Sequence, residues 1–286
     1  MTAPSDLAPP FRWPGGKRRL AARVIELLGP NGMFVDPFVG AGGLIYPLRA
    51  CGYTGPIIAA DVNPRVVGVH RWIRDGADDV TRALAALPED WRAAYNDVRA
   101  EFNAADPRSL ASAARLIWLQ AASFNGLYRV NAAGEYNAPI GDRAEIRLPT
   151  AAHLSALSRA LVGVELLVAD FEAVIALVGP GDRLYCDPPY LADGAAFTAY
   201  AGVFGPNEHL RLYVAAGAAA RRGARVAISN AASARAAALH DLIAVPPLEA
   251  EVHRLQVNRS ISCGERSAAS ETLTLYRRAA APGEVR

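Results

Sequence analysis

Apolar and polar positions along the chain fall into short runs of a common form. Five stretches, Met33 to Phe38, Pro56 to Asp61, Val164 to Asp170, Arg183 to Pro189 and Arg225 to Asn230, are aliphatic or β-branched and end on or just past an acidic or small polar residue. Runs of this length separated by helix-like segments predict buried parallel strands joined by crossover helices, an α/β architecture. The rhythm then changes. "EVHRLQV" and "ETLTLYR" follow each other without a long helix between them, which predicts an antiparallel pair closing one edge of the sheet. Helical spacing in "HLRLYVAAGAAARRG" puts a helix before the last parallel strand, with Gly223 as its C-cap.

From Val66 to Thr150 the pattern is mostly helical, with aromatics and arginines interleaved, and it ends in the turn-rich "FNGLYRVNAAGEYNAPIGDR". There "AAGE" between "YRVN" and "YNAP" reads as a hairpin tip. Residues 66–150 are therefore expected to form an insertion on a core made of 1–65 and 151–286. No internal repeat is evident.

Composition narrows the classes. A chain of 286 residues with 52% hydrophobic content buries a large core. No apolar run has membrane-spanning length, and the first residues lack the charged-then-apolar order of a secretion signal, so a cytoplasmic location is expected. Cys51, Cys186 and Cys263 are widely separated, and the five histidines show no ligand spacing, which argues against a disulfide framework or a structural metal. The formal charge is only +2, so any contact with a polyanion must come from a local patch. Of 30 Lys+Arg residues Lys17 is the sole lysine, which suggests that its position wants a compact, rotatable ammonium rather than a planar fork.

"DPFVGAGG" follows one predicted strand and opens a helix; its glycines permit a tight turn and a close ligand approach. A packing turn and a dinucleotide site both compete for this reading. Asp61, at the tip of the next strand, is placed to accept hydrogen bonds from ribose hydroxyls. The loop lacks a complete G-x-G-x-x-G, however, and Asp36 beside a pyrophosphate would be repulsive. A cationic, phosphate-free adenosine ligand such as S-adenosylmethionine would instead be attracted.

"CDPPY" ends another strand with a carboxylate, two prolines and a ring. An amine conjugated to an aromatic base is a weak nucleophile. If Asp187 and the Pro188 carbonyl each accept one N–H, the nitrogen becomes pyramidal and aims its lone pair at a methyl donor. Pro188 and Pro189 fix the turn, and Tyr190 is set to stack on the base, so the effect is one of positioning. Cys186 reads as a buried, inert strand residue.

In order along the chain stand "FRWPGGK", "DPFVGAGG", Asp61, "NGLYRVNAAGEYNAPIG", "CDPPY", "FTAY" and "RSISCGERSAASETLTLY". Together they resemble the Dam-type DNA adenine N6-methyltransferases, from about Phe11 to Tyr276. The resemblance implies a Rossmann-like class I methyltransferase sheet and S-adenosylmethionine as cofactor, and it makes 66–150 the target-recognition insertion. It implies cofactor contacts from Phe11, Trp13, Gly16, Lys17, Asp36, Phe38, Gly40, Gly42, Asp61 and Asp187, with Asp170 and Phe171 at the cofactor adenine. Trp13 as a core aromatic and Asp170 as a helix N-cap are the competing readings. Pro14 stands in "WPGGK" where a small residue is expected, a departure from the family pattern.

The substrate implied is double-stranded DNA, with no membrane and no obligatory protein partner. A stacked adenine is unreachable, so it must be flipped at a cost of a few kcal/mol, of which stacking on Tyr190 returns about 1–3 kcal/mol. By the same resemblance Phe197 and Tyr200 belong to a loop over the flipped base, Phe124 or Leu127 to a wedge entering the duplex, and Asn125 to the DNA-binding set. Arg129 suits two acceptors on a guanine edge. Asn131, Asn137 and Pro139 are expected to shape or contact the groove, and Arg259 to touch phosphate. Asn and Gly are equally ordinary turn residues. Two alternatives stay open here: a methyltransferase acting on an amine in RNA or protein, and a DNA-binding relative without catalysis.

Overall fold

The computed structural model describes residues 7–13, 20–191, 204–258 and 268–279. Five parallel strands, β1 (Phe34–Asp36), β2 (Ile57–Asp61), β3 (Val164–Val168), β4 (Arg183–Cys186) and β5 (Arg225–Ala231), lie in one sheet with the antiparallel strands β6 (Leu248–Asn258) and β7 (Ala268–Arg278). The order is β3-β2-β1-β4-β5-β7-β6, with β7 inserted between β5 and β6. The expected strands are all present. The prolines of "DPPY" lie past the end of β4, as their missing N–H groups and fixed φ require.

Side chains alternate across the sheet with the period of two that extended backbone imposes. Phe34, Ile57, Ala59, Tyr185 and Ala227 face one core. Val35, Ile58, Ala60, Leu184, Cys186, Val226 and Ile228 face the other. The first is covered by α1 (Ala21–Leu28), α2 (Ile45–Ala50), α3 (Pro64–Ala85), α5 (Leu110–Ala122) and α6 (Ala151–Ala160). The second is covered by α7 (Phe171–Ile175), α8 (Pro206–Arg221) and α9 (Ala234–Ile243). No helix among the described residues is long and apolar enough to cross a membrane.

Helix α3 crosses the expected domain boundary at residue 66. Asn63 caps it by accepting from the Arg65 amide at 3.0 Å, and Pro64 occupies its first turn, where a missing N–H costs nothing. From there it packs on both β2 and α5, so sheet and insertion share a continuous apolar core. Helix α4 (Trp91–Ala104) completes the insertion and grips the hairpin. Asn103 accepts from the Tyr136 amide at 2.8 Å and donates to the Tyr136 carbonyl at 3.1 Å, while the Tyr95 hydroxyl donates to the Ala138 carbonyl at 2.9 Å. The hairpin itself is a single bridge, Val130 to Tyr136, closed by Asn131. The Asn131 carboxamide oxygen accepts from Ala133 and Glu135, both at 3.0 Å, which is the work of an Asx turn.

Candidate active site

In an open parallel sheet the crevice forms outside the carboxyl ends of the strands where the strand order reverses, here between β1 and β4. Asp36 ends β1, Asp61 ends β2, and Asp187 follows β4 directly. Three acids far apart in sequence are thus set on the edges of three neighbouring strands. Burial pushes the Asp36 carboxyl up to about 8; the Phe38 amide, 3.0 Å away, opposes this, and repulsion from Asp187 and Asp61 adds to it. Burial pushes Asp61 up to about 6, against amide bonds from Asn63 at 2.9 Å and Gly40 at 3.1 Å. Mutually repelling acids in a desolvated crevice favour a positive ligand, which would return them to the carboxylate form. Among the described residues no group of three or more His, Cys, Asp or Glu side chains is arranged to hold a metal ion.

The glycine loop above these acids is shaped by its neighbours. Gly40 has φ of +47°, and a Cβ there would meet Trp13 Cδ1 at 2.7 Å. Gly42 has φ of +84°, and a Cβ there would meet Tyr46 Cε2 at 2.5 Å. Beneath the loop lies a residue that the sequence does not mark. His70 on α3 is fully buried, and its Nε2 sits 2.8 Å from the Gly40 carbonyl while its Nδ1 sits 3.1 Å from the Tyr46 hydroxyl. The carbonyl can only accept, so Nε2 carries the proton and Nδ1 accepts from Tyr46. Burial lowers the His70 pKa to about 4, keeping the ring neutral.

The insertion reaches the same crevice. Trp13 is partly buried, with its ring 4.9 Å from Tyr128 and 5.8 Å from Phe11. The Tyr128 hydroxyl accepts from Asn63 Nδ2 at 3.0 Å, two residues beyond Asp61. On the opposite side Phe38 and Phe171 stack at 5.7 Å, each 5.7 Å from Phe204. Asp170 is the N-cap of α7, accepting from the Glu172 amide at 2.9 Å, and it also receives Arg211 at 3.1 Å. Arg211 lies 5.0 Å over Phe171 as well. The carboxylate of Asp170, read from the sequence as a cofactor contact or as an N-cap, makes the capping bond and an ion pair.

At the "DPPY" turn Asp187 and Tyr190 are partly exposed and Pro188 is buried. Strand β5 and the N-cap of α9 hold the residue that follows. The Leu191 amide donates to Asn230 Oδ1 at 2.9 Å, and the Leu191 carbonyl accepts from Ser233 Oγ at 2.6 Å. The Tyr190 hydroxyl donates to Glu271 Oε2 of β7 at 2.9 Å. Behind the turn, fully buried His209 of α8 is driven down to about 4 by burial, with the nearby Pro189 carbonyl opposing. Neither of its ring nitrogens makes a well-formed hydrogen bond among the described residues.

The hairpin residues do not all lie free. Phe124 and Pro139 are exposed, Leu127 and Asn137 half-buried, and the Phe124 amide donates to the Pro139 carbonyl at 2.9 Å. Asn125 has φ of +53° and is the one non-glycine residue in the left-handed region among those described. Arg129 is exposed, yet two of its donors already serve Asn137: Nε to Oδ1 at 2.9 Å and Nη2 to the backbone carbonyl at 2.7 Å. Two of the five N–H donors of the side chain that suits a guanine edge are therefore engaged inside the hairpin. Gly16, Lys17, Phe197, Tyr200 and Arg259 lie outside the described residues.

His70, Tyr128, Asn230 and Glu271 escape sequence reasoning because each is brought in by an element remote in the chain. Only Asn63 carries a local signal, as a capping residue before Pro64 and just after an acid.

The strand order, with β7 antiparallel between β5 and β6, and the acids on the carboxyl edges of β1, β2 and β4 define a class I methyltransferase. Residues 13–261 match the model of the D12 class N6 adenine-specific DNA methyltransferases, and the chain belongs to that family. Its reaction is methylation of adenine N6 in DNA. It is 29% identical over 278 residues to the DNA adenine methylase of Escherichia coli K12, covering 93% of this chain and 94% of that one. To a type II methyltransferase of Methanocaldococcus jannaschii it is 28% identical over 244 residues, 79% of this chain and 84% of that one. It is 32% identical over 263 residues to the DNA N-6-adenine-methyltransferase of Escherichia phage P1, covering 88% of this chain and 33% of the phage protein.

Proposed function

We propose that the crevice binds S-adenosylmethionine and one adenine extruded from double-stranded DNA, and that Asp187, Pro188 and Tyr190 hold the base for transfer. The observation that carries this reading is the meeting of Asp36, Asp61 and Asp187 on neighbouring strand ends at the strand-order reversal, two of them driven up in pKa chiefly by burial. These acids suit the ammonium and sulfonium of the cofactor, and Asp61 suits its ribose. Phe11, Trp13, Gly40 and Gly42 wall one side, with Phe38 and Phe171 on the other. Bound there, S-adenosylmethionine supplies an electrophilic methyl group.

The protein's own part is positioning. Asp187 and the Pro188 carbonyl accept the two N–H bonds of the target amine and localise its lone pair, Pro189 keeps the turn rigid, and Tyr190 stacks on the base. An alkylated exocyclic ammonium is strongly acidic, so its proton leaves readily and Asp187 need not be a strong base. Residues 1–65 and 151–286 form the catalytic part and 66–150 the recognition part, with α3 common to both. Phe124 or Leu127 supplies the wedge that enters the duplex, Asn125 contacts the DNA beside it, and Arg129, Asn137 and Pro139 read or shape the groove.

Replacing Asp187 by Ala is expected to abolish methyl transfer while DNA binding, measured by fluorescence anisotropy, changes little. Unchanged turnover would remove the catalytic role assigned to this carboxylate.

A further inference from the structure

Tyr190 is tethered at both ends. Its backbone runs into Leu191, whose amide and carbonyl are held by Asn230 and Ser233, and its hydroxyl ends on Glu271. Glu271 is 7% exposed, and it faces Ala231 across the β5–β7 ladder. Asn230, one residue away on β5, uses the same oxygen to accept from its neighbour Ala231 at 2.9 Å, so strand and turn form one bonded unit. A buried carboxylate at a strand edge is expensive unless it accepts strong hydrogen bonds, and a phenol is among the best neutral donors available. Such a bond fixes the ring tip, and therefore the Tyr190 χ1 angle, before any base arrives.

We propose that Glu271 is a positioning residue for adenine transfer: its carboxylate holds the Tyr190 ring as a preset stacking platform beside Asp187. The proposal rests on the reading that Tyr190 stacks on the extruded base. The phenol stays a donor throughout the working range, because burial, with the Asp187 and Glu271 charges adding to it, holds its pKa well above the ordinary tyrosine value. Order in the platform acts on the step in which the base is captured and aligned. It does not touch the cofactor side of the crevice, where Asp36, Asp61 and the glycine loop lie.

The test is single-turnover methylation of a duplex oligonucleotide by wild type, Glu271→Ala, Glu271→Gln, Tyr190→Phe and the Tyr190→Phe/Glu271→Ala double variant. Cofactor affinity is measured in parallel by calorimetry. Loss of a charge-assisted bond should slow Glu271→Ala and Tyr190→Phe by similar factors of about 10 to 100, with cofactor affinity unchanged within about twofold. Glu271→Gln, which keeps an acceptor oxygen, should recover most of the rate, and the double variant should be no slower than either single change. Tyr190→Phe leaves β7 untouched, so the comparison survives if Glu271→Ala folds poorly. Wild-type rates in Tyr190→Phe, losses that multiply in the double variant, or a Gln variant as slow as Ala would overturn the proposal. Tyr190→Ala separates it from the reading beneath: full activity there sinks base stacking itself, whereas a slow Tyr190→Ala beside a fast Tyr190→Phe sinks only the Glu271 role.

Discussion

His70 Nε2 lies 2.8 Å from the Gly40 carbonyl, so a neutral imidazole on α3 fixes the loop whose amides bond Asp36 and Asp61. The bond joins helix α3, which packs on both β2 and α5, to the glycine loop of the proposed cofactor site. Its proton is assigned by chemistry alone, since the partner on one side is a carbonyl and on the other the Tyr46 hydroxyl.

Replacing His70 by Ala should leave the Gly40 carbonyl and the Tyr46 hydroxyl buried without partners. A loss of about 2–4 kcal/mol is expected from the orphaned groups and the cavity together. Urea unfolding monitored by circular dichroism measures it, and a variant as stable as wild type would show the bond to be dispensable.

Gly40→Ala is expected to weaken cofactor binding by at least about tenfold, because the new methyl group meets the Trp13 ring at 2.7 Å on a backbone with φ of +47°. Gly52→Ala makes a control: its φ is +84° and a Cβ there meets nothing within 4 Å. Calorimetric titration with S-adenosylmethionine should separate the two, and equal affinities would contradict the close approach at Gly40.

The acids predict a pH dependence of stability. Asp36 and Asp61 are raised to about 8 and about 6. A carboxyl raised on folding keeps a proton that the unfolded chain has released, so its contribution is full below about pH 4 and is lost as pH rises through the folded value. His70, His209 and His240, each lowered to about 4, act the other way and add stability as pH rises toward about 6.5. Above about pH 7 these histidines have lost most of their protons in the unfolded chain as well, and Asp36 continues to about 8. The melting temperature of ligand-free protein should therefore fall between about pH 7 and 8, and Asp36→Asn should flatten that limb. A wild-type curve already flat there would refute the assignment.

Arg129 and Asn137 form a preset pair on the hairpin. Arg129→Ala should cost about 1–3 kcal/mol in discrimination between cognate and altered DNA sites while leaving cofactor affinity unchanged. Asn137→Ala, which removes the Oδ1 bond to Nε and keeps the backbone carbonyl bond to Nη2, should lower discrimination by a smaller amount through lost orientation. Methylation rates on a panel of single-base variants decide this, and a selective Arg129→Ala enzyme would remove Arg129 from the recognition set.

Sequence alone determined the strands, because their apolar runs and acidic ends reflect burial on two faces and a stop at the crevice, both local consequences of hydrophobicity and of proline and glycine stereochemistry. It also carried "DPPY", the glycine loop and Asp61, whose roles depend on residue types held within a few positions of one another. Tertiary structure decided which of these meet. The order β2-β1-β4 puts Asp61, Asp36 and Asp187 side by side although about 25 residues separate the first two and about 150 separate Asp36 from Asp187, and no periodicity encodes such a pairing. It also set the partners of residues whose type allows several: Asp170 caps α7 and pairs with Arg211, Arg129 bonds Asn137, and a histidine on an apolar helix face bonds the glycine loop. A side chain's type limits what it can bond to, and only its place in three dimensions selects among those partners.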